Sequence, residues 1–247
     1  MRRIFTVFLA LLLIIPLLQA TLSEVTLNKN TAGMTLINGA LATDNCVVLK
    51  PGDAQYQAVR LDLGDINAGS WTVIYFEGLS SDVKGVALTC YSNLTAPYYV
   101  KIAYWYQDKE WRIIEAKPQL TTLASASFNP SELPNVVALA LKYTGSPDNK
   151  IYAKVILADG NSIELQGSTT YYWSRYAEFG VTGGVKVVEV KAKYLWLCGD
   201  NELQTVLDKI KQLATPVFTI NIINAVLPAI IILLVVGGLL KILSKVR

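Results

Sequence analysis

The sequence predicts an all-β fold, a two-sheet antiparallel sandwich, followed by a short helix and one C-terminal transmembrane helix. Three observations lead to this prediction. Between residues 24 and 198 the chain consists of short runs rich in Val, Ile, Tyr and Trp, separated by turn-forming residues. Several of these runs alternate apolar and other residues. Long uncharged apolar stretches lie at the two ends of the 247-residue chain, and they raise its apolar content to 52%.

Residues 1–20 have the pattern of a secretory signal peptide. Two arginines precede an apolar run over 4–18, and the small residue Ala20 follows it. A basic start, an apolar middle and a small-residue end are typical of export signals. The segment that follows, 21–200, is therefore predicted to be an extracellular domain.

Alternation predicts which side chains of three strands face the core. The inward sets are Val100, Ile102 and Tyr104; Ile151, Ala153, Val155 and Leu157; and Val188, Val190, Ala192, Tyr194 and Trp196. The intervening residues form wetter faces, which include Tyr99, Lys101 and Trp105 on the first strand and Tyr152 and Lys154 on the second. One buried face and one wetter face are typical of antiparallel sandwich strands.

Residues 201–216 are predicted to form an amphipathic helix. Asp200 or Asn201 is a suitable N-cap. Apolar residues follow at intervals of four and three, as in a short heptad seam: Leu203, Leu207, Ile210, Ala214 and Val217. Two interpretations stay open: the stripe packs back on the sandwich, or it forms a stalk through which copies of the chain associate.

Residues 217–243 are predicted to form a transmembrane helix, because no charged residue occurs between Lys211 and Lys241 and about 20 apolar residues suffice to cross a bilayer. The basic end of the chain, with the tail 244–247, is expected in the cytoplasm. We thus predict a single-span protein in contact with membrane lipid, its N-terminus outside. Two asparagines within the span favour contact with other helices, and hence a homo-oligomer through the stalk and transmembrane helix.

Charge and composition exclude several classes of function. Between the signal peptide and the basic end lie 17 of the 22 basic residues and all 19 acidic residues, a formal charge of −2, so no nucleic-acid partner is expected. The chain has no histidine, which removes Ser-His and Cys-His pairs, a histidine general base and imidazole metal ligands. We predict that the protein is not an enzyme, and no catalytic residue is assigned.

Three segments carry a resemblance to a known family. NGALATDNCVVLKPGDAQYQAVRLDLGDINAGSWTVIYFEGL ends in a strand that begins Trp-Thr. NVVALALKYTGSPDNKIYAKVILADGNSIEL is a hairpin with an Asp-Gly turn. AEFGVTGGVKVVEVKAKYLWLCGDNELQTVL is a strand followed by a helix that begins with Asp and Asn. In this order, over 38–207, they resemble the LamG-like, concanavalin A-like lectin-glucanase jelly-roll family.

This resemblance implies a two-sheet jelly-roll whose first and last strands are adjacent and antiparallel. Three pairings of the three cysteines are open from the sequence alone. The resemblance favours a Cys46–Cys198 disulfide, since these residues lie at the start of the first strand and the end of the last, and Cys90 is then the free thiol. It also implies carbohydrate binding, and calcium as the cofactor of some relatives. The Glu-x-Asp-x-Glu strand of the family's glucanases does not occur here.

Aromatic residues on the wetter faces are the candidate ligand-binding residues, because such side chains stack on a ligand and still form hydrogen bonds. The predicted ligand-binding residues are Trp105, Tyr99, Lys101, Tyr152 and Lys154, with the aromatic residues of 171–173 as further candidates. Calcium would take oxygen ligands from the loop residues Asp148, Asn149 and Asp159. The Asn93-Leu94-Thr95 pattern predicts glycosylation at Asn93.

The sequence thus predicts a single-pass protein of a cell membrane or virion envelope. Its extracellular domain is expected to serve adhesion, or recognition of a glycan or a surface-protein partner. Two alternatives stay open, a structural component of a cell envelope or virion without a small ligand, and a glycoside hydrolase.

Overall fold

The computed structural model describes residues 22–64, 66–92, 98–117, 119–169, 175–215, 226–228 and 230–231. The predicted signal peptide and the tail 244–247 lie outside these ranges. So does the predicted transmembrane helix 217–243 except for five residues, which are helical. Within the described ranges, no helix is long and apolar enough to cross a bilayer.

Two antiparallel sheets form the sandwich, and the all-β prediction is confirmed. Sheet I has the order β13-β12-β11-β6-β15-β4-β3, with β1 also beside β15. Its strands are β1 Ser23–Thr26, β3 Leu41–Ala42, β4 Val47–Leu49, β6 Trp71–Glu77, β11 Val136–Tyr143, β12 Lys150–Leu157, β13 Ser162–Ser168 and β15 Val190–Cys198. A short 3-10 helix, Pro130–Asn135, precedes β11.

Sheet II has the order β10-β9-β8-β7-β14-β5-β2. Its strands are β2 Met34–Ile37, β5 Tyr56–Asp62, β7 Gly85–Tyr91, β8 Tyr99–Trp105, β9 Glu110–Lys117, β10 Gln119–Ser127 and β14 Tyr176–Thr182. The core lies between the sheets. It contains the predicted inward residues of β8, Val100, Ile102 and Tyr104, and those of β12, with Leu157 only partly buried.

A β-bulge in β15 changes the predicted faces of that strand. The register with β6 shifts between Ala192 and Tyr194, so one extra residue is inserted there. Before the shift Val190 and Ala192 face the core as predicted, but after it Leu195 takes the inward position. The prediction that Tyr194 and Trp196 point into the core is therefore wrong. Both side chains lie on the outer face of sheet I.

A helix over 200–215 covers the outer face of sheet I. Its buried stripe packs on the outward side chains of β6, β11, β12 and β15, and consists of Leu203, Val206, Ile210 and Ala214, with Leu207 partly buried beside them. This face of the sheet is apolar because it is a second core, which explains why every residue of β11 is buried. The stripe packs back on the sandwich, which confirms the first of the two interpretations of residues 201–216 and leaves no exposed stripe for an associating stalk.

The three cysteine thiols are free, so the predicted Cys46–Cys198 disulfide is wrong. The last strand does pair antiparallel with β1 and β4, as the resemblance implied. However, β4 pairs only with residues 190–192 of β15, because β1 pairs with the rest of that edge. Continued by one residue, this register places Cys46 opposite position 193. Cys198 lies five residues further along the strand, roughly 16 Å away, and a disulfide needs Cα atoms within about 7 Å.

Candidate ligand-binding site

A groove crosses the outer face of sheet II, opposite to the side that forms the core. Its floor is a row of small residues from three neighbouring strands, paired in register: Gly180, Ala87 and Ala103. Because none of these side chains extends beyond a methyl group, the row leaves space between taller neighbours. The resulting cavity has a volume of about 450 Å³, which is within the usual range for small-ligand sites.

Larger side chains rise on both sides of this floor. One wall is the neighbouring cross-strand row, which contains Tyr56, Thr182 and Trp105. The opposite wall is the cross-strand row on the other side of the floor, and Lys101 belongs to it. Trp105 is half-buried, and the guanidinium of Arg112 lies 5.6 Å from the centre of its ring. The walls thus offer an aromatic ring, two hydroxyl groups and an ammonium group to a ligand.

A buried carboxylate stands at the side of the groove. Glu178 on β14 is only 3% exposed. Tyr56 Oη donates a hydrogen bond to its Oε1 at 2.5 Å, and Arg60 Nε and Nη2 donate to its Oε2 at 2.8 and 2.6 Å. Burial, with the neighbouring negative charge of Glu178 as a further cause, raises the pKa of Tyr56 well above its usual range. Tyr56 is therefore a hydrogen-bond donor at all physiological pH values.

A glycine at position 180 is required for this arrangement. Tyr56 crosses over β14 to reach Glu178, and a Cβ atom on Gly180 would lie 2.1 Å from Tyr56 Oη. The glycine thus lowers the floor of the groove and also lets the tyrosine hydroxyl reach the carboxylate.

Lys101 lies one strand beyond this cluster. Lys101 on β8 pairs with Thr89 on β7, and Thr89 pairs on its other side with Glu178 on β14. Burial lowers the pKa of Lys101, and the negative charge of Glu178 opposes this shift. Its ammonium lies 5.5 Å from the centre of the Tyr99 ring. Tyr99, Lys101 and Trp105, predicted on one strand face, therefore all stand on the outer face of sheet II, with Lys101 and Trp105 lining the groove.

The other two predicted binding residues belong to a different surface. Tyr152 and Lys154 lie on the outer face of sheet I, where Lys142 Nζ is 5.2 Å from the Tyr152 ring centre and Lys154 forms an ion pair with Glu164. Lys142 also binds both carboxylate oxygens of Asp200, at 2.7 and 2.9 Å. These contacts attach the first turn of the helix to the sheet, so Tyr152 and Lys154 contribute to packing there and not to the groove.

The predicted calcium ligands do not converge. Asn149 precedes β12 and Asp159 follows it, so the length of this eight-residue strand, roughly 26 Å, separates them. Asn149 Oδ1 instead accepts a hydrogen bond from Tyr143 at 2.6 Å. Asp159 accepts from the backbone and side chain of Asn161, as turn residues do. The prediction that Asp148, Asn149 and Asp159 together bind calcium is wrong. In the described part of the chain no group of three Cys, Asp or Glu residues is placed to hold a metal ion.

Other predicted residues lie where the structure does not describe the chain. Asn93 and residues 171–173 belong to this group, so glycosylation and the further aromatic candidates stay predictions. Conversely, the sequence interpretation missed Tyr56, Arg60 and Glu178. The run Tyr-Ala-Glu-Phe-Gly-Val over 176–181 alternates and could have indicated the strand that carries Glu178.

Comparisons with known proteins establish the fold class. No protein-family model and no curated protein sequence matches the chain. Among solved structures, the exoplasmic/lumenal domain of VIP36, in a form bound to Ca²⁺ and Man3GlcNAc, superposes with a TM-score of 0.53 at 13% identity, over 72% of this chain and 90% of that one.

Two further solved structures have the same fold. A legume lectin-like domain from Entamoeba histolytica gives a TM-score of 0.51 at 10% identity, over 71% and 96% of the two chains. Lectin I-B4 from Griffonia simplicifolia, in a metal-free form, gives 0.50 at 12% identity, over 71% and 98%. The described domain therefore has the fold of legume lectin-like, concanavalin A-like jelly-roll domains.

Proposed function

We propose that this protein is a recognition protein of a membrane surface whose β-sandwich binds a glycan in the groove of sheet II. The observation that carries this proposal is the convergence of Trp105, Lys101 and Tyr56 around a floor without large side chains. An aromatic face for stacking, beside an ammonium group that donates hydrogen bonds and a tyrosine hydroxyl oxygen that accepts them, is the chemistry that a sugar ring needs. The VIP36 domain and the Griffonia lectin, which share the fold, support the same assignment.

The proposed placement at the membrane rests on the two apolar ends of the sequence. The signal peptide over 1–20 exports the sandwich, and the span 217–243 anchors it in a cell membrane or virion envelope with the C-terminus in the cytoplasm. Homo-oligomerisation is expected through this span, since the apolar stripe of the helix over 200–215 is buried against sheet I.

Glycan binding is tested with a glycan array and the full chain in mild detergent. The wild type is expected to bind at least one class of glycan, and Trp105→Ala is expected to lose at least tenfold in affinity because the stacking surface is removed. Tyr152→Ala is the matched control, since it removes an aromatic side chain from the outer face of the other sheet and should leave binding unchanged. Equal binding by the wild type and Trp105→Ala would contradict the proposed site.

A structural role in an envelope is the second candidate, and one observation favours it. Val185 and Val187, on either side of Lys186 in the loop after β14, are 84% and 81% exposed, and exposed apolar side chains close together often mark a contact with another protein. This role predicts ordered contacts between neighbouring copies in cryo-EM images of native membranes, which a double change of both valines to serine should abolish. Isolated particles without regular neighbours would contradict it.

A glycoside hydrolase has less support from the groove. Both oxygens of Glu178 are held by Tyr56 and Arg60, whereas Asp108 and Glu110 form ion pairs with Arg112. Glycosidases need two carboxyl groups on either side of the scissile bond. We therefore propose binding without hydrolysis.

A further inference from the structure

Lys101 is the cation of the groove face that has no ion-pair partner among the described residues. Four other cations on this face or at its rim form ion pairs within 4 Å: Arg60 with Glu178, Lys84 with Asp53, Arg112 with Asp108 and Glu110, and Arg175 with Asp62. Among the described residues, the Lys101 ammonium also donates no side-chain hydrogen bond. The short-range contact that it does make is with the ring of Tyr99.

The buried carboxylate of Glu178 does not form an ion pair with Lys101. Both oxygens of Glu178 are already occupied, one by Tyr56 and the other by the guanidinium of Arg60. The side chains of Arg60, Glu178 and Lys101 together carry one net positive charge, and they are partly shielded from solvent. A charge that is removed from water without a partner is unfavourable. A ligand anion that reaches this ammonium would remove the penalty and form a charge-assisted hydrogen bond.

We propose that the ligand of the groove is an acidic saccharide whose carboxylate or sulfate group binds Lys101 while a neighbouring sugar ring stacks on Trp105. The inference rests on the proposed glycan-binding function and specifies its ligand class. The two residues lie four positions apart on the same face of β8, so their Cα atoms are about 13 Å apart. This distance is longer than one sugar ring, so the ligand is an oligosaccharide.

The test compares three probes of equal length and linkage: a neutral gluco-oligosaccharide, its counterpart with glucuronic acid units, and its sulfated derivative. Affinities for the full chain in mild detergent are measured by titration calorimetry at low and high salt. At low salt at least one acidic probe is expected to bind ten- to a hundredfold more tightly than the neutral probe, and high salt is expected to reduce this preference. The better of the two acidic probes identifies the acid group.

Variants of Lys101 assign the preference to this ammonium. Lys101→Gln is expected to lower the affinity for the acidic probe to that of the neutral one, and Lys101→Arg, which keeps the charge, to retain most of the preference. Lys154→Gln, on the outer face of sheet I, is the control and should leave the affinities for the acidic and neutral probes unchanged. Thermal melting confirms that Lys101→Gln is folded, which is expected because it removes a poorly hydrated charge.

The possible failures are distinguishable. If the wild type binds the neutral and acidic probes equally, or if Lys101→Gln keeps the preference, the acidic ligand is wrong while glycan binding stands. If no probe and no glycan of the array binds, the proposed function is wrong and this inference with it.

Discussion

The contact between Gly180 and Tyr56 yields a prediction whose magnitude follows from the structure. In Gly180→Ala, the new Cβ would lie 2.1 Å from Tyr56 Oη and 2.3 Å from its Cζ atom, far inside van der Waals contact. Gly180 lies in the middle of β14 and is not in the left-handed region, so the backbone itself accepts alanine. The tyrosine ring must therefore move, and its hydrogen bond to Glu178 is lost.

The expected cost is the difference between two effects. Loss of a hydrogen bond to a charged, buried carboxylate costs about 1.5–3 kcal/mol, whereas replacing glycine by alanine in a strand returns roughly 0.5–1 kcal/mol. We expect Gly180→Ala to lower the free energy of unfolding by about 1–2 kcal/mol. In a Tyr56→Ala background the clash and the hydrogen bond are both absent, so the same substitution should be neutral or slightly stabilising.

Urea unfolding of the four proteins of this double-mutant cycle, followed by tryptophan fluorescence, measures the coupling directly. Gly85→Ala on the neighbouring strand is the matched control. Its Cβ would meet Thr182 Oγ1 at 3.4 Å, an ordinary contact, so this substitution should be neutral or stabilise the domain by up to about 1 kcal/mol. An equal cost of Gly180→Ala in both backgrounds would refute the explanation through Tyr56.

Three further predictions concern charge and thiol chemistry. Glu178→Gln should destabilise the domain by about 3 kcal/mol in urea unfolding, because it leaves the guanidinium partner of a buried ion pair without its counter-charge; a loss below about 1 kcal/mol would contradict a buried pair. Burial alone would raise the pKa of Asp200, but hydrogen bonds from Lys142 and Trp71 hold that pKa below its usual value. The stability that this carboxylate contributes is therefore present above about pH 4 and is lost as pH falls through the lowered pKa. When pH is lowered below about 4, the Tm of the wild type should fall more steeply than the Tm of Asp200→Asn. Burial raises the pKa of the Cys90 and Cys198 thiols to about 12, so both should resist alkylation at pH 8 until denaturant is added, and rapid labelling of the folded protein would contradict their burial.

Local patterns predicted much of the fold. Strands were expected where the chain has regular runs of β-branched and aromatic residues and they are present, and the inward faces of β8 and β12 follow their alternation. The strands that were missed have weaker local signals. β10, with the sequence QLTTLASAS, contains small and polar residues, and β14 is interrupted by Glu178 and Gly180. A strand whose stability comes from its neighbours in the sheet carries little of that information in its own residues.

The residues of the candidate site likewise fall into those that local patterns predicted and those that they did not. Alternation placed Tyr99, Lys101 and Trp105 on one strand face because the period of a strand is a local property. It also selected Tyr152 and Lys154, which have the same pattern but lie under the helix, since a wetter face on one strand does not reveal what covers it. Glu178 and Tyr56, more than 120 positions apart, meet only because β5 and β14 are adjacent.

By itself, the sequence determined the β class, the faces of regular strands, the apolar stripe of the helix and the two apolar ends. The tertiary structure alone decided which strands became neighbours and in which register. A bulge of one residue turned Tyr194 and Trp196 away from the core, and the pairing of β4 with the first part of β15 separated Cys46 from Cys198. The physical reason is that periodicity is set by the geometry of each backbone segment, whereas register and pairing are set by the packing of distant segments against each other.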